Sequence, residues 1–103
     1  RVMLVGSEDI VHVTSGPFKM RIDAGRRLSV WPIGKIEFDR SSGLNWPLDG
    51  LQMSPNGRVG TSNKMASDRL EIYPKEGGEA AYAVLAETQY LEAMLDALLT
   101  QSL

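Results

Sequence analysis

The chain has 103 residues, 43% apolar and 23% charged, with a formal net charge of −2 and no cysteine. That suffices for one domain with a modest core. It excludes a disulfide framework and a thiolate zinc site, and no apolar run approaches the roughly 20 residues of a membrane-spanning helix. The charge is uneven, +2 over residues 1–40, neutral over 41–68 and −4 over 69–103, which disfavours nucleic acid, a partner that needs a broad basic footprint.

Residues 1–103 are expected to form a single domain cut from a longer protein, because the chain starts at Arg1 and its first apolar run, Val2–Val5, is too short for a signal peptide. The absence of cysteine fits a cytoplasmic setting.

The strand signals come in chain order. Val2–Val5 reads as a strand or as the remnant of a linker. Ile10–Thr14 reads as a strand, with the only histidine, His12, pointing outward between Val11 and Val13 in a structural role. Phe18, Met20 and Ile22 alternate with Lys19, Arg21 and Asp23, the period-2 pattern of a half-buried strand. Ala24-Gly25 marks a turn, and Leu28–Val30 resumes the alternation. Trp31-Pro32 and Gly34 break it, and Lys35–Asp39 is a further strand with Ile36 and Phe38 inward. Arg40–Gly43 reads as a turn. Trp46–Met53 reads as an edge or bulged strand, because Pro47 removes a ladder donor and Gly50 weakens the run. Ser54–Gly57 is a turn, residues 58–68 are mostly loop, and Leu70–Ile72 is a short strand.

After Gly77-Gly78 two readings stay open. Helix propensity allows one long helix from Glu79 to about Gln101. Alternatively Tyr82–Ala86 is a last strand, and Thr88 caps a shorter helix whose apolar stripe is Leu91, Met94, Leu95, Leu98 and Leu99. On either reading Leu95 is expected to be buried.

With the second reading, the C-terminal third resembles the end of a pleckstrin-homology domain. Leu70–Tyr73, the turn Lys75–Gly78, the strand Tyr82-Ala-Val-Leu-Ala-Glu-Thr88 and the helix Leu91–Leu99 follow that family's order over about 30 residues. One departure is plain: the family's helix usually carries a buried tryptophan, and Met94 stands at or next to that place. The resemblance implies an α+β fold, a mostly antiparallel β barrel or sandwich of about seven strands capped by one C-terminal helix.

Candidate sites are few. Lys19, Arg21, Arg26 and Arg27, with Lys35 near, are the candidate phosphate- or lipid-binding residues. Converging cations with forked guanidinium donors suit a phosphate, and Lys19-Met-Arg21 resembles the basic pattern of phosphoinositide-binding members of the family. The competing reading is a strand face kept soluble by its charges. Trp31 and Trp46, each before a proline, mark either an exposed ligand surface or packing at two strand ends. No nucleophile has a base beside it in the sequence, and a single histidine cannot serve a triad elsewhere. No metal or cofactor is expected. The reading is a non-enzymatic binding module in a larger protein whose partner is another protein or peptide, accepted as an added strand between the terminal helix and a sheet edge. The alternative partner is an anionic lipid headgroup at a membrane surface.

Overall fold

The computed structural model of the chain describes residues 2–55, 62–77 and 80–101. Nine strands occur among them: β1 (Val2–Val5), β2 (Asp9–Thr14), β3 (Phe18–Arg21), β4 (Arg27–Pro32), β5 (Ile36–Ser42), β6 (Gln52–Met53), β7 (Ser62–Lys64), β8 (Arg69–Pro74) and β9 (Tyr82–Glu87). A 3-10 turn (Thr88–Tyr90) leads into the single helix, α1 (Leu91–Gln101).

The strands form two antiparallel sheets, ordered β1-β2-β9-β4-β7 and β3-β8-β5-β6. The alternating residues of both fill one core. Ile10, Leu28, Tyr82 and Val84 from the first sheet face Phe18, Phe38, Leu70 and Ile72 from the second, and all eight are fully buried. This is a small α+β sandwich, with no closed barrel among the described residues. Among the described residues only two pairs of sequence neighbours, β1-β2 and β5-β6, are also sheet neighbours. Elsewhere successive strands belong to different sheets, so pairing is mostly long-range.

The last third settles the open alternative. Tyr82, Val84 and Ala86 point into the core as a strand does, and the chain turns at Thr88 before the helix starts. Thr88 is not the helix cap that was expected. Its hydroxyl donates to the Gly6 carbonyl at 3.2 Å, because the intervening 3-10 turn moves the helix start to Leu91.

Three further expectations are corrected. Leu95 is not core: it is 39% exposed and Leu99 is 61% exposed, while Met94 is 0% and Ala97 is buried. The helix lies against β3 on the line of Met94 and Ala97, with Leu91 and Ala93 packing partly, so its buried face is rotated from the leucine stripe. Met94→Ala is therefore expected to lower stability by about 2–5 kcal/mol and Leu95→Ala by about 1 kcal/mol or less in urea unfolding. His12 points inward, 2% exposed, with its ring 5.3 Å from that of Phe18. Ile10, His12 and Thr14 take the inner side of β2, so Val11 and Val13 face outward. The expected strand Trp46–Met53 is a loop except for Gln52–Met53; within 58–68, expected to be mostly loop, Ser62–Lys64 is a short strand. The turn dipeptide Asn56-Gly57 and residues 58–61 lie outside the described residues.

Among the described residues no helix is long and apolar enough to cross a membrane.

Candidate functional site

The most heavily pinned irregular segment joins β5 to β6. At its start Gly43 adopts a φ of +88°, and its carbonyl accepts the Ala66 amide at 2.8 Å. Leu44 then forms a bridge with Met65, and the Asn45 amide donates to the Lys64 carbonyl at 2.7 Å. Asn63, nearly buried on β7, grips the next residue from both sides. Its Oδ1 accepts the Trp46 amide at 3.1 Å, and its Nδ2 donates to the Trp46 carbonyl at 2.8 Å.

Beyond Pro47 the pinning continues. The Leu48 side chain is buried, and its amide donates to the Ser41 hydroxyl oxygen at 2.7 Å. The Asp49 carboxylate accepts the Ser41 amide at 2.9 Å, and the Gly50 amide returns to the Phe38 carbonyl at 2.9 Å. With its backbone held this way, Trp46 still leaves 59% of its surface in solvent. An uncovered indole on a rigid loop is a preorganised stacking surface, since little order remains to be lost on binding.

The four predicted basic residues do not form one group. Lys19 and Arg21 project from the outer face of β3, opposite Glu71 and Arg69 of β8. Arg26 and Arg27 stand at the entry to β4 in the other sheet, in ion pairs with Glu87 at 3.8 Å and Asp9 at 2.5 Å. Lys35 borders a separate hollow of about 260 Å³ with Glu37, Pro74 and Lys75. There Glu37 takes a hydrogen bond from Gln52 and an ion pair from Lys75 at 3.3 Å, and these hold its carboxyl below the ordinary range.

Strand pairing supplies residues that the sequence reading passed over. Arg40 lies across from Tyr73 in the β5–β8 register, its guanidinium carbon 4.0 Å from the ring centre, and Lys19 Nζ is 5.6 Å from the same ring. The Tyr73 hydroxyl donates to Glu71 at 2.5 Å. That bond is the main cause holding the Glu71 carboxyl below its usual value. The alternation Arg69-Glu71-Tyr73 was visible in the sequence, but nothing local said which strand lay beside it.

The helix lies against β3, the edge strand of the second sheet. A depression of about 250 Å³ remains at its N-terminal end, where the Tyr90 hydroxyl donates to Asp23 at 2.7 Å. Among the described residues no three His, Cys, Asp or Glu side chains are placed to share a metal ion.

The architecture that carries these features, a two-sheet sandwich with a terminal helix, is one that solved structures share. The chain is similar to thiamin pyrophosphokinase from Geobacillus thermodenitrificans, with a TM-score of 0.68 at 17% identity over 82% of this chain and 40% of that one. It is similar also to thiamine pyrophosphokinase from Bacillus subtilis, with a TM-score of 0.67 at 14% identity over 84% of this chain and 40% of that one. A protein from Lactobacillus plantarum matches with a TM-score of 0.62 at 13% identity over 82% of this chain and 41% of that one. No family model and no curated protein matches the chain. At these identities the likeness is one of fold, and the chain spans about 40% of the length of the structures it matches.

This likeness corrects one expectation. The chain was read as non-enzymatic because no catalytic constellation appears in it, yet two of the structures sharing its fold are named as pyrophosphokinases, which are enzymes. The missing constellation spoke only for the side chains of this stretch, and a fold says nothing on its own about whether the protein containing it is catalytic.

Proposed function

We propose that the chain is the β-sandwich part of a pyrophosphokinase-like enzyme, in which it binds and orients the substrate that accepts the diphosphate. The observation that carries this reading is Trp46, an indole more than half exposed on a backbone clamped by Asn63. Tryptophan is the best side chain for stacking on a flat cation, because the face of its ring is electron-rich. Thiamin, the compound in the names of two of the structural neighbours, is a heteroaromatic cation of that kind. Trp46 then supplies the stacking face, and the Ser41–Asp49 and Asn63 hydrogen bonds keep it still.

Fluorescence tests this directly. In a Trp31→Phe background Trp46 is the only tryptophan, and thiamin is expected to quench its emission saturably. Trp46→Ala is expected to weaken thiamin binding by about 2- to 30-fold, the equivalent of roughly 0.5–2 kcal/mol of cation–π contact, in a calorimetric titration. An emission that stays constant through the thiamin titration overturns the reading.

A further inference from the structure

The outer face of the second sheet carries a second arrangement, independent of Trp46. Arg21 of β3 and Arg69 of β8 are direct cross-strand partners. Like charges in that position repel and work against the sheet. Among the described residues neither guanidinium forms an ion pair. Beside them Lys19 pairs with Glu71, and Arg40 stacks on Tyr73. Glu37, Asp39 and Glu71 are the carboxylates on these three strands, against four cations, and Glu37 is already met by Lys75. Asp23 and Asp68 line the adjoining hollow with Arg21, and Asp23 is engaged by the Tyr90 hydroxyl.

Sheet pairing gathers these cations on one face of a chain whose net charge is −2. Lys19, Met20, Arg21, Arg69 and Glu71 line a shallow hollow of about 280 Å³. Two guanidinium groups that line one hollow offer forked N–H donors, which suit the oxygens of a phosphate and neutralise a dianion.

We propose that Arg21 and Arg69, with Lys19 beside them, bind a phosphate-bearing anion on the outer face of the second sheet. The anion bridges the two guanidinium groups and cancels their repulsion. Glu71, which lines the same hollow, has one carboxylate oxygen taken by the Tyr73 hydroxyl. Arg26 and Arg27 take no part, since their charges are met by Glu87 and Asp9.

The test uses three probes at low salt: inorganic phosphate, inorganic diphosphate, and phosphatidylcholine vesicles containing phosphatidic acid. Diphosphate is expected to raise the melting temperature of the wild-type chain, with the rise shrinking as salt is added. In R21Q/R69Q its dissociation constant is expected to rise at least about tenfold, as suits the loss of two charge-assisted contacts. R26Q/R27Q is expected to bind as the wild type does. The R21Q/R69Q variant loses a repulsion, so its own melting temperature is expected to stay level or rise, which separates lost binding from lost folding. Binding of diphosphate without vesicles assigns the face to a soluble phosphate compound. Binding of vesicles without diphosphate assigns it to a lipid headgroup. Equal binding by R21Q/R69Q and wild type, or no binding of any probe at low salt, overturns the proposal.

Discussion

Replacing Gly43 with alanine is expected to cost about 3–5 kcal/mol, with a fall in melting temperature of at least about 12 °C for a domain of this size. Two penalties add. The φ of +88° is one that a residue with a Cβ adopts only under strain, for about 1–2 kcal/mol. A Cβ there would also overlap the Arg69 carbonyl oxygen and lie 3.2 Å from Ser67 Oγ. The end of β5 and the segment leading into β8 meet backbone to backbone at this point, so no flexible side chain can move aside. Gly25 separates the two terms. Its φ is +86°, but nothing lies within 4 Å of the place a Cβ would occupy. Gly25→Ala is expected to cost only the conformational part, about 1–2 kcal/mol. Thermal unfolding of the two variants measures the difference, and equal losses would show that the contact at Gly43 relaxes freely. Because Gly43 opens the segment bearing Trp46 and abuts Arg69, its substitution is expected to disturb the Trp46 loop and the Arg21–Arg69 face together.

The second large effect is expected at Tyr82. It is fully buried on β9 of the first sheet, and its ring meets Phe38 of the second edge to face, with centres 5.3 Å apart. Its hydroxyl donates at 2.6 Å to the carbonyl of Gly16, in the connection that carries the chain from β2 to β3. One side chain thus joins both sheets and the crossover between them. Tyr82→Ala is expected to cost about 3–5 kcal/mol through the cavity it leaves. Tyr82→Phe keeps the packing and strands the Gly16 carbonyl, for about 1–2 kcal/mol.

Burial also pushes the Tyr82 phenol above its ordinary value of 10.0. A group whose acidity is weakened by folding contributes its stability in full below the unfolded value and loses it as the pH rises beyond. The wild type is therefore expected to weaken above about pH 10, and Tyr82→Phe is expected to remove that share of the alkaline loss. Urea unfolding at neutral and alkaline pH reads both numbers. A phenylalanine variant with the same alkaline slope as the wild type would sink the assignment.

Local period made several elements readable. Phe18-Lys-Met-Arg, Ile36-Glu-Phe and Leu70-Glu-Ile alternate so cleanly that their inner residues can be named from the sequence, and they are inner. The break at Thr88 was half legible: the i, i+3, i+4 pattern begins only after it, while helix propensity ran on through it and left the longer helix open. His12 was misplaced for a physical reason. In Val11-His-Val13 the period separates two sets of residues but does not say which set faces the core. Ile10 and Thr14, on the same side as His12, decided it. The leucines of α1 misled in the same way, since a stripe wider than one face does not name the line that docks.

Sequence alone determined, then, that this is a mostly β chain ending in a helix, which residues alternate along β3, the start of β5 and β8, and that its charge is unevenly placed. Tertiary structure decided which strands are neighbours. That choice set Arg69 opposite Arg21, laid Arg40 on Tyr73, sent Arg26 and Arg27 to other partners, and brought Asn63 to Trp46 across 17 residues of sequence. The reason is one of range. Alternation and helical period come from bonds along the chain and are written in adjacent letters. Sheet order comes from closing one core between two sheets, and each of these pairs is held by contacts that no local pattern encodes.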